Sequence, residues 1–231
     1  MKILVMGSCT GEKDLRDCPG MLTSAEFGDQ TRLQLRESEL SAWALPASKL
    51  YTGWQHRYMM NGVSALRHRF GDSVCSVKII SAGYGLVDEE QSLVPYEVTF
   101  HGQQPRVIRS RSEVLGIPVG VRNALAGYDL VMFLLGKEYL LSIGLPLSPA
   151  LNQRLVFLTS NVRFSFHPAS VMIPAGKEET RFGAGIVSLK GKMFERFALG
   201  LCNAPEKWDR VLSDKTAWTV LELIEAGGSQ R

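Results

Sequence analysis

Four short, nearly unbroken apolar runs, Lys2 to Gly7, Val74 to Ser81, Leu130 to Leu135 and Leu155 to Thr159, constrain the fold of this 231-residue chain most tightly. A strand with one wet face alternates apolar and polar residues, whereas a continuous run belongs to a sheet covered on both faces. Helical spacings lie between the runs. Trp54, Tyr58, Met59, Val63, Leu66 and Phe70 fall near one face of a helix expected over Tyr51 to Phe70, ended by Gly71-Asp72. Pro118 to Ala126 predicts a second helix, stopped by Gly127. A third is expected over Glu26 to Leu40, within a long excursion from Cys9 to Pro46 that should lie as a flap beside the sheet edge. Strand and helix in alternation predict an α/β fold with a mostly parallel central sheet flanked by helices. From Gly191 onward the pattern is helical. Met193, Phe194, Phe197 and Leu201 form one apolar stripe, and Trp218, Val220, Leu221 and Ile224 form another. The expectation is one α/β domain over residues 1–231, with 143–231 completing a core built by 1–142 and Gly227 to Arg231 frayed.

A hydrophobic content of 45% is ample for such a core. There is no basic leader with a long apolar stretch and no run approaching a membrane span, so the expected compartment is the cytoplasm, with no membrane partner. Cys9, Cys18, Cys75 and Cys202 contain no C-x-x-C pair, and His56, His68, His101 and His167 are scattered. Neither a metal site, a disulfide framework nor a cofactor is predicted. The net charge of +3 is too small to argue for nucleic acid by itself, because that depends on basic residues gathered on one face. Such gatherings occur at His56 to Arg69, Arg106 to Arg111 and Lys177 to Arg196. They suit ordinary solvated faces or a basic groove for a polyanion.

The segment Ile79 to Thr99 concentrates chemistry. A strand leads into Ser81-Ala82-Gly83-Tyr84-Gly85, small residues whose backbone a ligand can approach, and then into Asp88, Glu89 and Glu90. The three carboxylates are expected at the C-terminal edge of that strand, where open α/β sheets carry ligands. The same residues also suit a glycine turn followed by a solvated acidic loop. After the first strand, Gly7 to Lys13 offers backbone N–H groups and the Lys13 ammonium to an anion, without Walker or dinucleotide spacing. Cys9 there is either a nucleophile or a packed thiol. Ser48 to Gly53 brings Lys49, a phenol and a hydroxyl to a helix start, as a phosphate or base contact or with Thr52 as cap. Leu134 to Tyr139 repeats the strand-Gly-Lys order with Lys137. His167, ahead of Pro168, is a loop histidine that could face a substrate or solvent. Arg181 to Gly185 and Lys190-Gly191-Lys192 flank glycines with cations, which suits a nucleic-acid backbone.

Taken together, the Cys9 to Lys13 turn, Leu50-Tyr51-Thr52-Gly53, Ser81-Ala82-x-Tyr84-Gly85-Leu86 through Pro95-Tyr96, and Gly136-Lys137-x-Tyr139 resemble the YaaA-like superfamily. The likeness covers Met1 to about Ser142. That superfamily embraces a peroxide-stress DNA-binding protein, the lysine-transferring core of archaeosine synthase and small bacterial proteins. The resemblance implies a nucleic-acid substrate with a modified base, and a DNA glycosylase directed at hypermodified phage cytosines in anti-phage defence. Such an enzyme needs a carboxylate near the anomeric carbon and donors for the departing base. On this reading Asp88, with Glu89 or Glu90 in support, supplies the carboxylate, and His167 or Lys137 neutralises the leaving group. Ser81, Tyr84, Tyr96 and Cys9 bind the base, while Lys13, Lys49, Arg181, Lys190 and Lys192 hold the DNA backbone. Where many relatives carry an acid just before the Pro-Tyr stretch, this chain has Gln91 and Val94, so roles do not transfer to those positions. The resemblance also allows a non-catalytic DNA-binding stress protein, or an enzyme adding an amine to a deazaguanine in tRNA. Oligomeric state stays open.

Overall fold

The computed structural model describes residues 1–161 and 163–228, so the expected fraying lies, from residue 229 on, outside the described residues. Its strands are β1 (Ile3–Ser8), β2 (Leu45–Pro46), β3 (Cys75–Ser81), β4 (Gly85–Asp88), β5 (Ser92–Leu93), β6 (Leu130–Phe133), β7 (Arg154–Leu158) and β8 (Val171–Ile173). Six of them form one sheet in the order β4-β3-β1-β6-β7-β8, and β2 pairs with β5 as a small separate ribbon. All neighbours in the large sheet are parallel except β3 and β4. The fold is α/β.

The helices are α1 (Gln30–Glu39), α2 (Ala47–Leu50), α3 (Trp54–Phe70), α4 (Pro105–Val114), α5 (Ile117–Ala124), α6 (Lys137–Ser142), α7 (Leu189–Asn203), α8 (Trp208–Ser213) and α9 (Trp218–Ala226). Six of them form two groups, α3 with α7 and α9, and α4 with α5 and α6. Every residue of β6 and β7 is buried, as sheets covered on both faces require. Beyond residue 142 the chain supplies β7, β8 and α7 to α9, extending the same sheet and its cover.

Helix α3 runs from Gly53, which has a β-region N-cap backbone, to Gly71, where φ of +95° ends it. Thr52 is therefore not the cap that the sequence suggested. In the excursion, the side chain of Asp29 accepts from the backbone N–H groups of Thr31 and Arg32 and starts α1, later than the expected Glu26. The excursion covers the β3–β4 edge: Leu22 bridges to Tyr96, and a Cβ at Gly83 would stand 2.7 Å from the ring of Phe27. What approaches the glycine turn is Phe27.

The largest departure from expectation is the course of the chain after Ser81. β4 folds back antiparallel, with Ser81 beside Gly85 and Lys78 beside Asp88. Asp88, Glu89 and Glu90 are thus carried away from the C-terminal edge toward the start of β3. The acidic run lacked any marker of this reversal, because a two-way turn and a one-way loop use the same small residues.

Helix α7 crosses α3 at close range. A Cβ at Gly191 would lie 2.1 Å from the backbone oxygen of Gln55, and one at Gly62 2.8 Å from Phe194. Gly191→Ala is expected to force the two backbones apart and cost about 3 kcal/mol, read as a lowered urea midpoint.

Candidate functional site

The central strand β1 ends at Ser8, and its loop is fixed by backbone hydrogen bonds to the stretch before α3. Thr52 N–H donates to Glu12 O at 3.1 Å and Asp14 N–H to Leu50 O at 2.8 Å, while Cys9 N–H reaches Ile80 O at 2.9 Å. The turn at Cys9 to Lys13 and the turn at Leu50 to Gly53, far apart in sequence, are therefore one joined structure. On the other side of β1 stands β6, whose loop Gly136 to Tyr139 leads into α6. The chain goes from β1 to β3 on one side and reaches β6 on the other, so the loops after β1 and β6 part at their C-terminal ends. Such a switch point leaves a crevice.

A cleft of about 530 Å³ occupies it. Its walls are Ser8 to Glu12, the α3 start at Gly53 to Gln55, the pair Thr99 and His101, and Gly136, Glu138 and Tyr139 after β6. Ile186, Val187 and Lys190 close the remaining side. At the floor, Cys9 Sγ lies 3.0 Å from the Tyr139 hydroxyl. Burial, followed by Cys9, pushes the Tyr139 phenol above its ordinary value, so it stays protonated. The mouth is apolar: Trp54 is 58% exposed and Val187 89%. Arg57 stands over the Trp54 ring at 5.4 Å, and Lys192 over Tyr58 at 4.7 Å, giving the rim an aromatic and cationic character. Glu138 is half-buried, Glu12 is exposed, and among the described residues neither forms an ion pair. Burial lowers the Lys190 pKa, opposed by the charge of Glu138.

The expected site residues divide. Cys9 and Lys190 line the cleft. Lys13 lies behind it, its ammonium 4.7 Å from the centroid of the Tyr96 ring; burial lowers its pKa against the influence of Cys9 and Glu97. Lys137, the residue before Glu138, lines a neighbouring pocket and not the cleft. Asp88 is exposed on the edge strand and ion-paired with Lys78, so it is not placed to act in the cleft. Glu89 is held by Arg67 at 2.6 Å and by the backbone N–H of Val77, and Glu90 is exposed beyond it. His167 accepts from the Ala169 N–H and sits four residues before β8, on the return toward the sheet's N-terminal side. It does not reach the cleft.

Ser81, Tyr84 and Tyr96 converge, but inward. The Tyr96 hydroxyl lies 2.7 Å from both the Tyr51 hydroxyl and Ser81 Oγ, and Ser81 Oγ accepts from the N–H groups of Gly83 and Tyr84. Tyr96 is fully buried, and its ring meets Tyr84 at 5.2 Å and Phe27 at 5.9 Å, both edge-on. The Tyr96 ring is enclosed by protein and cannot stack on a base, and Tyr84 is partly buried against it. Burial holds the Tyr51, Tyr84 and Tyr96 phenols above their ordinary values, so they remain donors. Among the backbone cations, Lys192 pairs with Glu195, Arg181 with Glu225, and Lys49 is exposed on α2 away from the cleft walls.

Glu138, Glu12, Trp54, Gln55 and His101 are the cleft residues that sequence reasoning passed over. Glu138 lies within the Leu134 to Tyr139 stretch, in which the strand-Gly-Lys order singles out Lys137. Adjacent positions at a helix start diverge by about 100°, so Lys137 and Glu138 serve different pockets. No protein-family model and no curated protein matches the chain.

Tyr96→Phe removes the hydroxyl shared by Tyr51 and Ser81. The expected loss is about 1–2 kcal/mol of stability in urea unfolding, with the turn at Gly83 loosened in hydrogen exchange.

Proposed function

We propose that the chain is a DNA glycosylase that draws a modified base into the cleft between the loops of β1 and β6 and hydrolyses its N-glycosidic bond, with Glu138 as the carboxylate. The observation that carries this reading is an unpaired, half-buried Glu138 in a cleft with an exposed tryptophan at its mouth. The convergence of Cys9 to Lys13, Leu50 to Gly53 and Gly136 to Tyr139 on one end of the sheet also supports kinship with the YaaA-like superfamily, and with it a nucleic-acid substrate.

Trp54 offers a face on which an extruded base or its neighbour stacks, worth about 1–3 kcal/mol. Arg57 beside it supplies positive charge toward phosphates. In the cleft, Gln55 donates one amide hydrogen to Leu134 O and keeps the other for a base edge. As the bond between C1′ and the base breaks, the base leaves with the electron pair and C1′ becomes an oxocarbenium. The Glu138 carboxylate stabilises that cation and takes a proton from the water that adds to C1′. Lys190 supplies an ammonium and His101 a ring N–H as the hydrogen-bond donors that the departing base requires. The role first expected of Asp88 moves to Glu138, because only the latter borders the cleft.

Incubation with hypermodified phage DNA and with ordinary DNA, followed by a probe for abasic sites, tests the proposal. Sites are expected on modified DNA, and their absence from every modified substrate overturns it. Glu138→Gln is expected to slow base release at least about 100-fold while DNA affinity stays within about threefold. Asp88→Asn is expected to cleave at a rate within about threefold of the parent. A reversed ranking of these two variants returns the catalytic role to Asp88. Trp54→Ala should weaken DNA binding about tenfold in a fluorescence titration. DNA binding without base release would instead favour the non-catalytic reading.

A further inference from the structure

Beside the cleft lies a second pocket of about 430 Å³, which shares one wall residue with it, Lys190. Leu135 and Lys137 after β6 and Thr159, Ser160, Asn161 and Arg163 after β7 complete its lining. We propose that this pocket binds the phosphate of the nucleotide whose base enters the cleft. The inference rests on the reading of the cleft as a nucleobase site.

Three cations meet here from three separate parts of the chain: Lys137 on α6, Arg163 on the loop after β7 and Lys190 on α7. The lining contains no carboxylate. Some cations elsewhere have a carboxylate partner, as Lys192 has Glu195, Lys207 has Glu222 and Arg67 has Glu89. Among the described residues, Lys137, Arg163 and Lys190 form no ion pair. Glu138 acts on Lys190 from the cleft side, but the lining itself holds no counter-charge, so the three cations repel and an anion converts that repulsion into attraction.

The neutral groups fit the same ligand. Thr159 Oγ1 accepts from the Asn161 N–H, Ser160 Oγ from the Ala175 N–H and Asn161 Oδ1 from the Arg163 N–H. Each side chain thereby uses acceptor capacity on the protein. Two hydroxyl protons and the Asn161 amide group remain as donors, with no acceptor among the described residues. A pocket of three cations and three donor groups is complementary to a ligand that only accepts, and a phosphate monoester or diester is that ligand.

Position gives the site its use. Lys190 stands between the two pockets, and Lys137 and Glu138 are consecutive residues serving opposite sides of that partition. A phosphate held by Lys137, Arg163 and Lys190 places the attached sugar at the partition, beside Glu138, and the base in the cleft. The pocket then acts as a register stop that presents C1′ to the carboxylate.

The test uses calorimetric titration of the full chain with inorganic phosphate, the deoxynucleosides recovered from hypermodified phage DNA and their 5′-monophosphates, alongside Lys137→Gln, Arg163→Gln and the double variant. Inorganic phosphate is expected to bind the parent, and each single substitution to weaken it about tenfold. Monophosphates should bind about tenfold tighter than nucleosides, and the double variant should erase that advantage while keeping the parent's melting temperature within about 2 °C. Equal affinity for nucleoside and monophosphate in the parent, or an advantage that survives the double substitution, overturns the phosphate pocket. A double variant that melts early is replaced by Arg163→Gln alone at graded salt, where an unaltered salt dependence likewise overturns it. Phosphate binding that responds to both substitutions, with no nucleoside bound, keeps the pocket and overturns the base reading alone.

Discussion

The enclosure of β1 is the constraint on which the rest depends. Ile3, Leu4, Val5 and Met6 have no exposed surface, and the strand's hydrogen bonds are taken by β3 on one side and β6 on the other. Nothing polar can emerge along its length, so its chemistry is expelled to the C-terminal end, at Ser8 to Lys13. Because the chain visits the two neighbours of β1 in separate passes, the loops beyond β1 and β6 diverge. The cleft is the space between them, kept open by a loop that cannot collapse because it is hydrogen-bonded to the stretch before α3.

The second support is a set of phenols that work inside the protein. Tyr51, Tyr96 and Ser81 form a buried chain of hydroxyls that ties the start of α3 to the β3–β4 turn, and Phe27 covers the Gly83 position from outside. Hydroxyls in such a chain satisfy one another, which burial otherwise makes costly. The residues most suggestive of a base platform are therefore scaffold. At the cleft the exposed aromatic surface is instead that of Trp54, whose indole is left outside because α3 begins at the cleft mouth.

Charge is divided in the same way. Asp88 and Glu89 are used by Lys78 and Arg67, which fasten β4 and the chain after it to β3 and α3. Among the described residues Glu138 has no such partner, and it borders the cleft. Lys190 stands between the cleft and a neighbouring pocket that gathers Lys137 and Arg163. Carboxylate and cations are thus adjacent, and the charge of Glu138 bears on Lys190 with no direct ion pair between them among the described residues.

Four of the sheet's strands and the helix over Trp54 to Phe70 were legible in the sequence, because burial on both faces leaves unbroken apolar runs and a helix leaves its period. The motif segments at Cys9, Tyr51 and Gly136 were legible as important, since small residues and lysines at strand ends have few structural uses. The β4 reversal and the three-residue β8 were not, because neither has enough residues to leave a pattern. Which of those side chains face a ligand was also decided by the tertiary structure alone. Tyr96 is internal because Phe27, almost 70 residues earlier, lies across it, and Lys137 and Glu138 part company because one helical step turns adjacent side chains to different walls. Composition and local spacing fix where a chain can bury its backbone; which polar groups are left over depends on partners that only folding brings near.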